Sequence, residues 1–235
     1  MDKYIFFDLD STLLQMNQDL FLKHYFASIY KYSAKLGYNP DEFMKKFNVA
    51  AFSIIKNDGS MTNEDLFFNA MKPEYSDSEL LKKQFNDFYI EEFDKLKDLV
   101  MNNISNTSNE LINVLKAKGY KIVLATNPLF PIICTEKRIK WAGMNPNDFE
   151  YITTYENCYY CKPNRKYYYE IANKLNISLD NITMVGNDLS DDFSDLPEEM
   201  NKILITDYLI NTKNLEITMP TFTLAEFLKY AKENM

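Results

Sequence analysis

The sequence is poor in the residues that secreted, disulfide-bonded proteins use. It has 235 residues but only three cysteines, Cys134, Cys158 and Cys161, and a single histidine. An odd cysteine count in a chain of this length predicts free thiols. The chain also lacks an apolar run near the roughly 20 residues that cross a bilayer, and it opens on the aromatic run 4–7 without a signal-peptide pattern. We therefore expect a cytoplasmic protein with no membrane partner.

Basic residues are also in short supply. The formal net charge is -8, with 26 Lys and Arg against 34 Asp and Glu. Proteins that bind nucleic acid gather Lys and Arg on one surface, and the sequence contains no such cluster. The composition thus argues against a nucleic-acid partner, and an anionic substrate would need a metal ion or a few well-placed lysines.

What the sequence does contain is a short apolar strand followed by a long helical block. Residues 4–7 predict a β-strand with the acidic run that begins at Asp8 at its carboxyl end. Between residues 17 and 99, apolar residues recur at spacings of three and four, which is typical of amphipathic helices, and we count four helices and no strand. Helix starts are indicated by capping patterns at Asn39, Thr62 and Ser76.

After residue 106 the pattern changes to alternating helices and apolar strands. It predicts strands at 121–125, 151–153, 182–185 and 202–206, with helices between most of them. Strands separated in this way form parallel sheets through right-handed crossovers. We therefore predict a doubly wound, Rossmann-like α/β core of residues 1–16 and 100–235, with an inserted all-helical domain of residues 17–99.

Polar side chains follow several of these strands at their predicted carboxyl ends. Lys162 lies instead in a loop ahead of a predicted helix. Ligands bind at this edge of an open parallel sheet. The candidate residues are Asp8, Asp10, Thr12, Thr126, Asn127, Lys162, Asn187, Asp188 and Asp192. Crowded carboxylates repel one another unless a cation neutralises them, and oxygen ligands select a hard ion such as Mg²⁺. The residues therefore predict a magnesium cofactor and a phosphorylated substrate, because Mg²⁺ commonly binds phosphate oxygens as well.

Four short segments, in this order, resemble the motifs of the haloacid dehalogenase (HAD) superfamily. They are Asp8-Leu9-Asp10-Ser11-Thr12-Leu13, Leu124-Ala125-Thr126-Asn127, Lys162-Pro163 and Val185-Gly186-Asn187-Asp188-Leu189-Ser190-Asp191-Asp192. The resemblance spans the whole predicted core. It implies a phosphoric monoester hydrolase, which transfers a phosphoryl group from an ester to water.

The resemblance also implies a role for each matching residue. Asp8 would be the nucleophile that forms an aspartyl-phosphate, and Asp10 would act first as a general acid and then as a general base. The substrate phosphate would be bound by Thr126, Asn127 and Lys162, of which the threonine and the lysine also stabilise the transferring group. The metal ligands would be Asp8, Asp10 through its main-chain carbonyl, Asp188 and Asp192.

The last motif departs from the commonest family pattern, in which an acid directly follows the glycine. Here Asn187 follows Gly186, and the acid comes one residue later, at Asp188. Either Asn187 is an insertion in the turn and Asp188 binds the metal, or Asn187 is a neutral ligand that Asp188 supports. We favour Asp188, because its spacing to Asp192 retains the GDxxxD form.

The inserted helices resemble the C1 type of cap, as in subfamily I of the superfamily. A cap that closes over the cleft would exclude water and select a small phosphorylated metabolite. Two other functions of the same fold stay open: a phosphomutase, which passes the phosphoryl group to a sugar, and a catalytically silent binding protein. A dehalogenase is disfavoured, because those relatives lack the second acid that is present here as Asp10.

Overall fold

A parallel sheet built on the first apolar run organises the chain. The computed structural model describes residues 2–72, 77–101 and 105–235. Its strands are β1 (Tyr4–Phe7), β2 (Lys121–Leu124), β3 (Tyr151–Ile152), β4 (Ile182–Gly186), β5 (Asn201–Ile205) and β6 (Thr221–Phe222). In the described residues they form one six-stranded sheet in the order β3-β2-β1-β4-β5-β6, with every pair parallel. This is the predicted doubly wound α/β topology, which is confirmed.

The helices fall where the sequence pattern predicts them, with one addition. They are α1 (Gln18–Lys35), α2 (Pro40–Ile55), α3 (Asn63–Met71), α4 (Ser78–Glu91), α5 (Lys97–Val100), α6 (Thr107–Ala117), α7 (Ile132–Trp141), α8 (Arg165–Leu175) and α9 (Leu224–Asn234). The short α5 and the 3₁₀ turn before it, Phe93–Leu96, were not predicted.

Helix capping agrees with the sequence pattern where it can be compared. The side chains of Asn39 and Thr62 accept hydrogen bonds from backbone amides in the first turns of α2 and α3. The predicted cap at Ser76 lies outside the described residues. Among the described helices, none has the length and apolar character that a membrane crossing requires.

The sheet buries a different set of side chains on each face. Ile5 and Phe7 of β1 belong to an apolar cluster that extends into α1, α2, α6 and α9. Tyr4 and Phe6 belong to a second cluster, which includes buried residues of α8. Because alternate residues of a strand point to opposite faces, a central strand must be apolar at every position. Full burial of a side chain such as Phe6 stabilises the fold by about 1.5–3 kcal/mol.

The helical insertion is hydrogen-bonded to the rest of the chain close to Lys162. Asn63, at the start of α3, is fully buried. Its Nδ2 donates to the carbonyl oxygen of Pro128 (3.2 Å), and its Oδ1 accepts from Asn57 Nδ2 (2.8 Å). Its backbone amide donates to the carbonyl oxygen of Cys158 (2.9 Å). The loop between α2 and α3 is thus fixed both to the segment after β2 and to the segment that precedes Lys162.

Candidate active site

The residues after β1 form a tight turn that brings two aspartates to the edge of the sheet. Asp8 continues the strand pairing, because its amide donates to the carbonyl oxygen of Val185 (2.9 Å). Ser11 then adopts a left-handed conformation, with φ of 64°, and its amide and hydroxyl donate to the carbonyl oxygens of Leu14 and Met16 (both 2.8 Å). That conformation costs a non-glycine residue about 1 kcal/mol, and the two hydrogen bonds offset this cost.

Lys162 joins the first and the last of the predicted motifs. Its Nζ donates to Asp8 Oδ1 (2.7 Å) and to Asp192 Oδ1 (2.6 Å), and its side chain is almost fully buried. Burial alone would lower the pKa of Lys162, but the carboxylates of Asp192 and Asp8 outweigh burial and raise the pKa well above its ordinary value. The lysine therefore stays charged and fixes the carboxylate of Asp8.

Asp192 is held through both of its oxygens. Oδ1 accepts from Lys162, and Oδ2 accepts from the backbone amide of Asp188 (3.0 Å). A Cβ atom at Gly186 would lie 2.1 Å from Asp192 Oδ2, so the close approach requires glycine. Burial raises the pKa of Asp192, while the charge of Lys162 acts in the opposite direction. The sequence predicts Asp192 as a metal ligand, and in the structure its two oxygens accept hydrogen bonds from Lys162 and from the Asp188 amide.

The two alternatives in the last motif have different surroundings. Asn187 is buried, its Oδ1 accepts from the Thr12 hydroxyl (2.9 Å), and its Nδ2 donates to the carbonyl oxygen of Tyr208 (2.7 Å). Asp188, which lines the cleft as Asn187 does, is half-buried, and its Oδ1 accepts from two backbone amides of the next turn (2.7 and 3.1 Å). An amide engaged at both ends is a poor metal ligand, so the contacts favour Asp188 over Asn187.

Asp10 is paired with an arginine that the sequence analysis did not single out. Arg138, in α7, is fully buried, and its Nη1 donates to Asp10 Oδ2 in an ion pair. The guanidinium carbon lies 4.3 Å from the ring centroid of Phe130, a cation–π contact. Burial raises the pKa of Asp10, Arg138 acts against this rise, and the nearby Asp8 adds to it. Asp10 Oδ1 is buried without a hydrogen-bond partner in the described residues.

Thr126 and Asn127 follow β2 and reach the same edge of the sheet. Thr126 is buried, and its carbonyl oxygen accepts from Thr153 Oγ1 (2.7 Å) and from the Tyr167 hydroxyl (2.9 Å). These two hydrogen bonds fix the backbone behind the Thr126 side chain. Asn127 Nδ2 donates to the carbonyl oxygen of Lys162 (3.5 Å), which links the second and third motifs.

A cleft of about 240 Å³ adjoins these strand ends and is walled in part by α1 and α2. All seven predicted catalytic, phosphate-binding and metal-binding residues line it, namely Asp8, Asp10, Thr126, Asn127, Lys162, Asp188 and Asp192. Asp191, which the sequence analysis placed in the last motif without giving it a role, lines the cleft as well. Burial raises the pKa of Asp191, and the nearby Asp188 adds to the rise.

The acids line the cleft without already converging on one point. Within residues 2–72, 77–101 and 105–235, no three His, Cys, Asp or Glu side chains stand together as metal ligands. The reason is visible at Lys162, whose ammonium group lies between Asp8 and Asp192. The donors nevertheless suit a hard divalent cation. They are all oxygens, the ligands that such a cation prefers. Two further oxygens of cleft-lining residues, Asp10 Oδ1 and Asn127 Oδ1, are buried without a hydrogen-bond partner in the described residues.

Solved structures with the same fold share little sequence with this chain. A HAD phosphatase from Thermococcus onnurineus is 18% identical, with a TM-score of 0.57 over 97% of this chain and 96% of that one. A predicted phosphoglycolate phosphatase from Haemophilus somnus 129PT is 19% identical, with a TM-score of 0.55 over 97% of each chain. A HAD protein from Bacillus subtilis, bound to magnesium, is 16% identical, with a TM-score of 0.54 over 99% of each. At these identities the likeness shows the fold.

The sequence itself also matches a family. No curated protein matches this chain, but the sequence model of the haloacid dehalogenase-like hydrolases matches residues 3–193. This range covers most of the chain and includes all four motifs. The resemblance seen in the sequence is therefore confirmed at the level of the family, and the chain belongs to the haloacid dehalogenase-like hydrolases.

Proposed function

We propose that this hydrolase is a magnesium-dependent phosphatase that hydrolyses a small phosphorylated metabolite through an aspartyl-phosphate on Asp8. The observation that carries the proposal is the 2.7 Å contact between Lys162 and Asp8, in which a buried cation holds a carboxylate at the edge of the cleft. A carboxylate that is oriented by a buried cation is suited to attack at phosphorus. The HAD phosphatase and the magnesium-bound HAD protein, which share the fold, support the reaction type and the ion.

In the proposed reaction, Asp8 attacks phosphorus in line, and the bond from phosphorus to the alcohol oxygen breaks. Asp10 donates a proton to the leaving oxygen and then takes one from the water that hydrolyses the aspartyl-phosphate. The raised pKa of Asp10 suits the first of these steps. Thr126, Asn127 and Lys162 bind the phosphoryl oxygens, and the lysine offsets the charge that develops on them.

Magnesium, when bound, would supply positive charge that neutralises phosphoryl oxygens in an acidic cleft. The residues proposed to hold it are Asp8, Asp10 through its main-chain carbonyl, and Asp188. Asp192, which the sequence also predicts as a ligand, contributes in this proposal by holding Lys162, because both of its oxygens are engaged.

We further propose that residues 17–99 form a C1-type cap on a core of residues 1–16 and 100–235. Support comes from the cleft, whose wall includes Phe21 of α1 and Ile55 of α2, and from the hydrogen bonds of Asn63. A cleft of about 240 Å³ suits a small molecule.

We also propose a cytoplasmic location. The three cysteines are buried and free, which fits the reducing cytoplasm.

Phosphate release tests the proposal, with p-nitrophenyl phosphate and a panel of sugar phosphates, nucleotides and FMN as substrates. We expect turnover that requires Mg²⁺, is abolished by EDTA, and falls at least about 10³-fold in Asp8→Asn. Asp180→Asn is the matched control, because Asp180 is exposed and precedes β4 at the opposite edge of the sheet. That variant should keep wild-type turnover.

Other outcomes point to other functions. Metal-independent turnover would contradict the magnesium proposal, and an active Asp8→Asn variant would contradict the nucleophile. Transfer of the phosphoryl group to a sugar phosphate would indicate a phosphomutase. A folded protein that turns over no substrate and traps no aspartyl-phosphate would indicate a silent binding protein.

A further inference from the structure

The cleft has one wall that the proposed chemistry does not use. It consists of apolar side chains from α1, from the end of α2 and from the segment after β2: Phe21, Leu22, Ile55, Leu129 and Phe130. Phe21 and Phe130 are buried, and their rings lie 6.1 Å apart. Ile55 is 47% exposed, which places it at the rim. This apolar wall and the carboxylate of Asp8 bound the same cleft, so the apolar wall is available to the alcohol part of a phosphate ester.

The charges of the cleft are unevenly distributed. Among the described lining residues, Lys162 is the one cation, and its ammonium group is already bound to Asp8 and Asp192. Arg138 is buried, and its charge is paired with Asp10. Asp188 and Asp191 add two more acids to the lining.

A second anionic group on the substrate would therefore meet no free cation among the described lining residues. Lys162 and the proposed magnesium ion serve the phosphoryl group. A carboxylate or a second phosphate on the alcohol part would lose water against Phe21 and Leu22, or would face the acids. Both placements are unfavourable, because a charge removed from water needs a partner of opposite sign.

We propose that this chain acts on phosphate monoesters whose alcohol part is uncharged and largely apolar, and that it discriminates against esters carrying a second anion. Leu22 and Ile55 are then specificity-determining residues, since they present aliphatic carbon where a phosphatase for a carboxylated or bisphosphorylated substrate would need a cation. The inference rests on the proposed phosphatase function and narrows its substrate class.

Three aryl phosphates that differ at one substituent test this inference: 4-methylphenyl, 4-carbamoylphenyl and 4-carboxyphenyl phosphate. The carboxamide and the carboxylate have nearly the same shape, so their comparison isolates charge. Of the three, 4-methylphenyl phosphate has the poorest leaving group, so a preference for it cannot come from its intrinsic reactivity. We expect kcat/KM to be highest for 4-methylphenyl phosphate and lowest for 4-carboxyphenyl phosphate, with at least about a tenfold difference between these two substrates.

A new cation at the rim should reduce this preference. In Ile55→Lys we expect the ratio of kcat/KM for 4-carboxyphenyl phosphate to kcat/KM for 4-methylphenyl phosphate to rise at least about three- to fivefold, the size of an exposed charge pair. Val49→Lys is the matched control, because Val49 lies on the same helix, is 60% exposed and does not line the cleft. That variant should keep the wild-type ratio, which excludes a general effect of added positive charge.

The outcomes separate this inference from the function on which it rests. Hydrolysis of all three esters with equal preference, or with preference for the carboxylate, would overturn the substrate class and leave the phosphatase proposal standing. Absence of phosphate release from any ester, including p-nitrophenyl phosphate, would overturn the phosphatase proposal and this inference with it. The ratio of kcat/KM for 4-methylphenyl phosphate to that for 4-carboxyphenyl phosphate, measured in the wild-type protein, tests the substrate class even if Ile55→Lys does not fold.

Discussion

Arg138 and Asp10 form a buried ion pair between residues that are 128 positions apart in the chain. The arginine is fully enclosed, and its guanidinium lies against the ring of Phe130. A second arginine, Arg165, pairs with Asp195 at the surface, where the two side chains are 54% and 42% exposed. The Arg138 pair and the Arg165 pair therefore allow an enclosed ion pair to be compared with an exposed one.

Removal of the enclosed arginine should be costly. We expect Arg138→Met to lower the free energy of unfolding by about 3 kcal/mol, because the carboxylate of Asp10 is left buried without a partner. Arg165→Met should cost less than about 1 kcal/mol, since its pair is exposed to water. Urea denaturation of both variants measures the difference.

The double variant Arg138→Met with Asp10→Asn identifies the cause of the loss. A neutral amide needs no counter-charge, so this variant should regain most of the stability lost in Arg138→Met. If it is no more stable than the single variant, Arg138 stabilises the fold through its packing on Phe130 and not through its charge.

Gly186 should be intolerant of even one extra carbon. In Gly186→Ala the new Cβ atom would displace Asp192, and with it Lys162. We expect kcat to fall about 10- to 100-fold and the free energy of unfolding to fall by about 1–3 kcal/mol. Gly119→Ala is the control: Gly119 has a φ of +85° with open space around it, so strain of about 1 kcal/mol should come without a kinetic effect. Unchanged kcat in Gly186→Ala would show that Asp192 does not position the lysine.

Asn63 should hold the helical insertion in place. Asn63→Ala removes the donor to the Pro128 carbonyl oxygen and one of the two acceptors of Asn57 Nδ2, which keeps the carbonyl oxygen of Met61. We expect a loss of about 1–3 kcal/mol in the free energy of unfolding together with a lower kcat/KM. Asn69→Ala, an exposed position on the same helix, should change stability by less than about 0.5 kcal/mol. Equal effects of the two substitutions would contradict a specific role for Asn63.

The thiols should be unreactive while the chain is folded. Burial raises the pKa of Cys158 to about 12 and raises the pKa values of Cys134 and Cys161 as well, from an ordinary 9.0. Ellman's reagent at pH 8 should therefore label none of the three quickly in the native protein and all three in urea. A cysteine that reacts at once in the native protein would contradict the buried placement.

The same shifts give a direction for alkaline stability. The folded chain holds the thiol protons more tightly than the unfolded chain does. The stabilisation is therefore complete below the ordinary pKa of 9.0 and is lost as pH rises toward about 12 for Cys158. Urea midpoints measured across this range should fall, and they should fall less steeply in Cys158→Ala.

Much of the fold could be predicted because its strongest signals are local. The run Tyr4–Phe7 is apolar at each position, as a strand covered on both faces must be. Strand β6 was missed, since its two residues, Thr221–Phe222, carry no periodicity and depend on pairing with β5. The 3₁₀ turn Phe93–Leu96 and α5 were also missed, because elements of a single turn leave little pattern in sequence.

The candidate site divides in the same way. Residues at strand ends, such as Asp8 and Thr126, could be grouped from sequence because parallel strands end at one edge. Arg138 could not, since a charged residue on an amphipathic helix is usually solvated, and its pairing with Asp10 is a tertiary contact. The ion pair between Lys162 and Asp192 also escaped prediction, because the spacing of acids within one motif does not reveal which side chain from another segment will contact them.

The hydrogen bonds of Asn63 connect the helical insertion to the segment that leads to Lys162. The helical insertion is attached to the carbonyl of Cys158, four residues before the lysine that orients Asp8. We expect an opening of the cleft that frees Asn63 to release this segment as well, so that the nucleophile loses its alignment whenever the substrate can leave. Closure of the cleft and alignment of Asp8 would then occur in the same movement, and the open enzyme without substrate would be inactive.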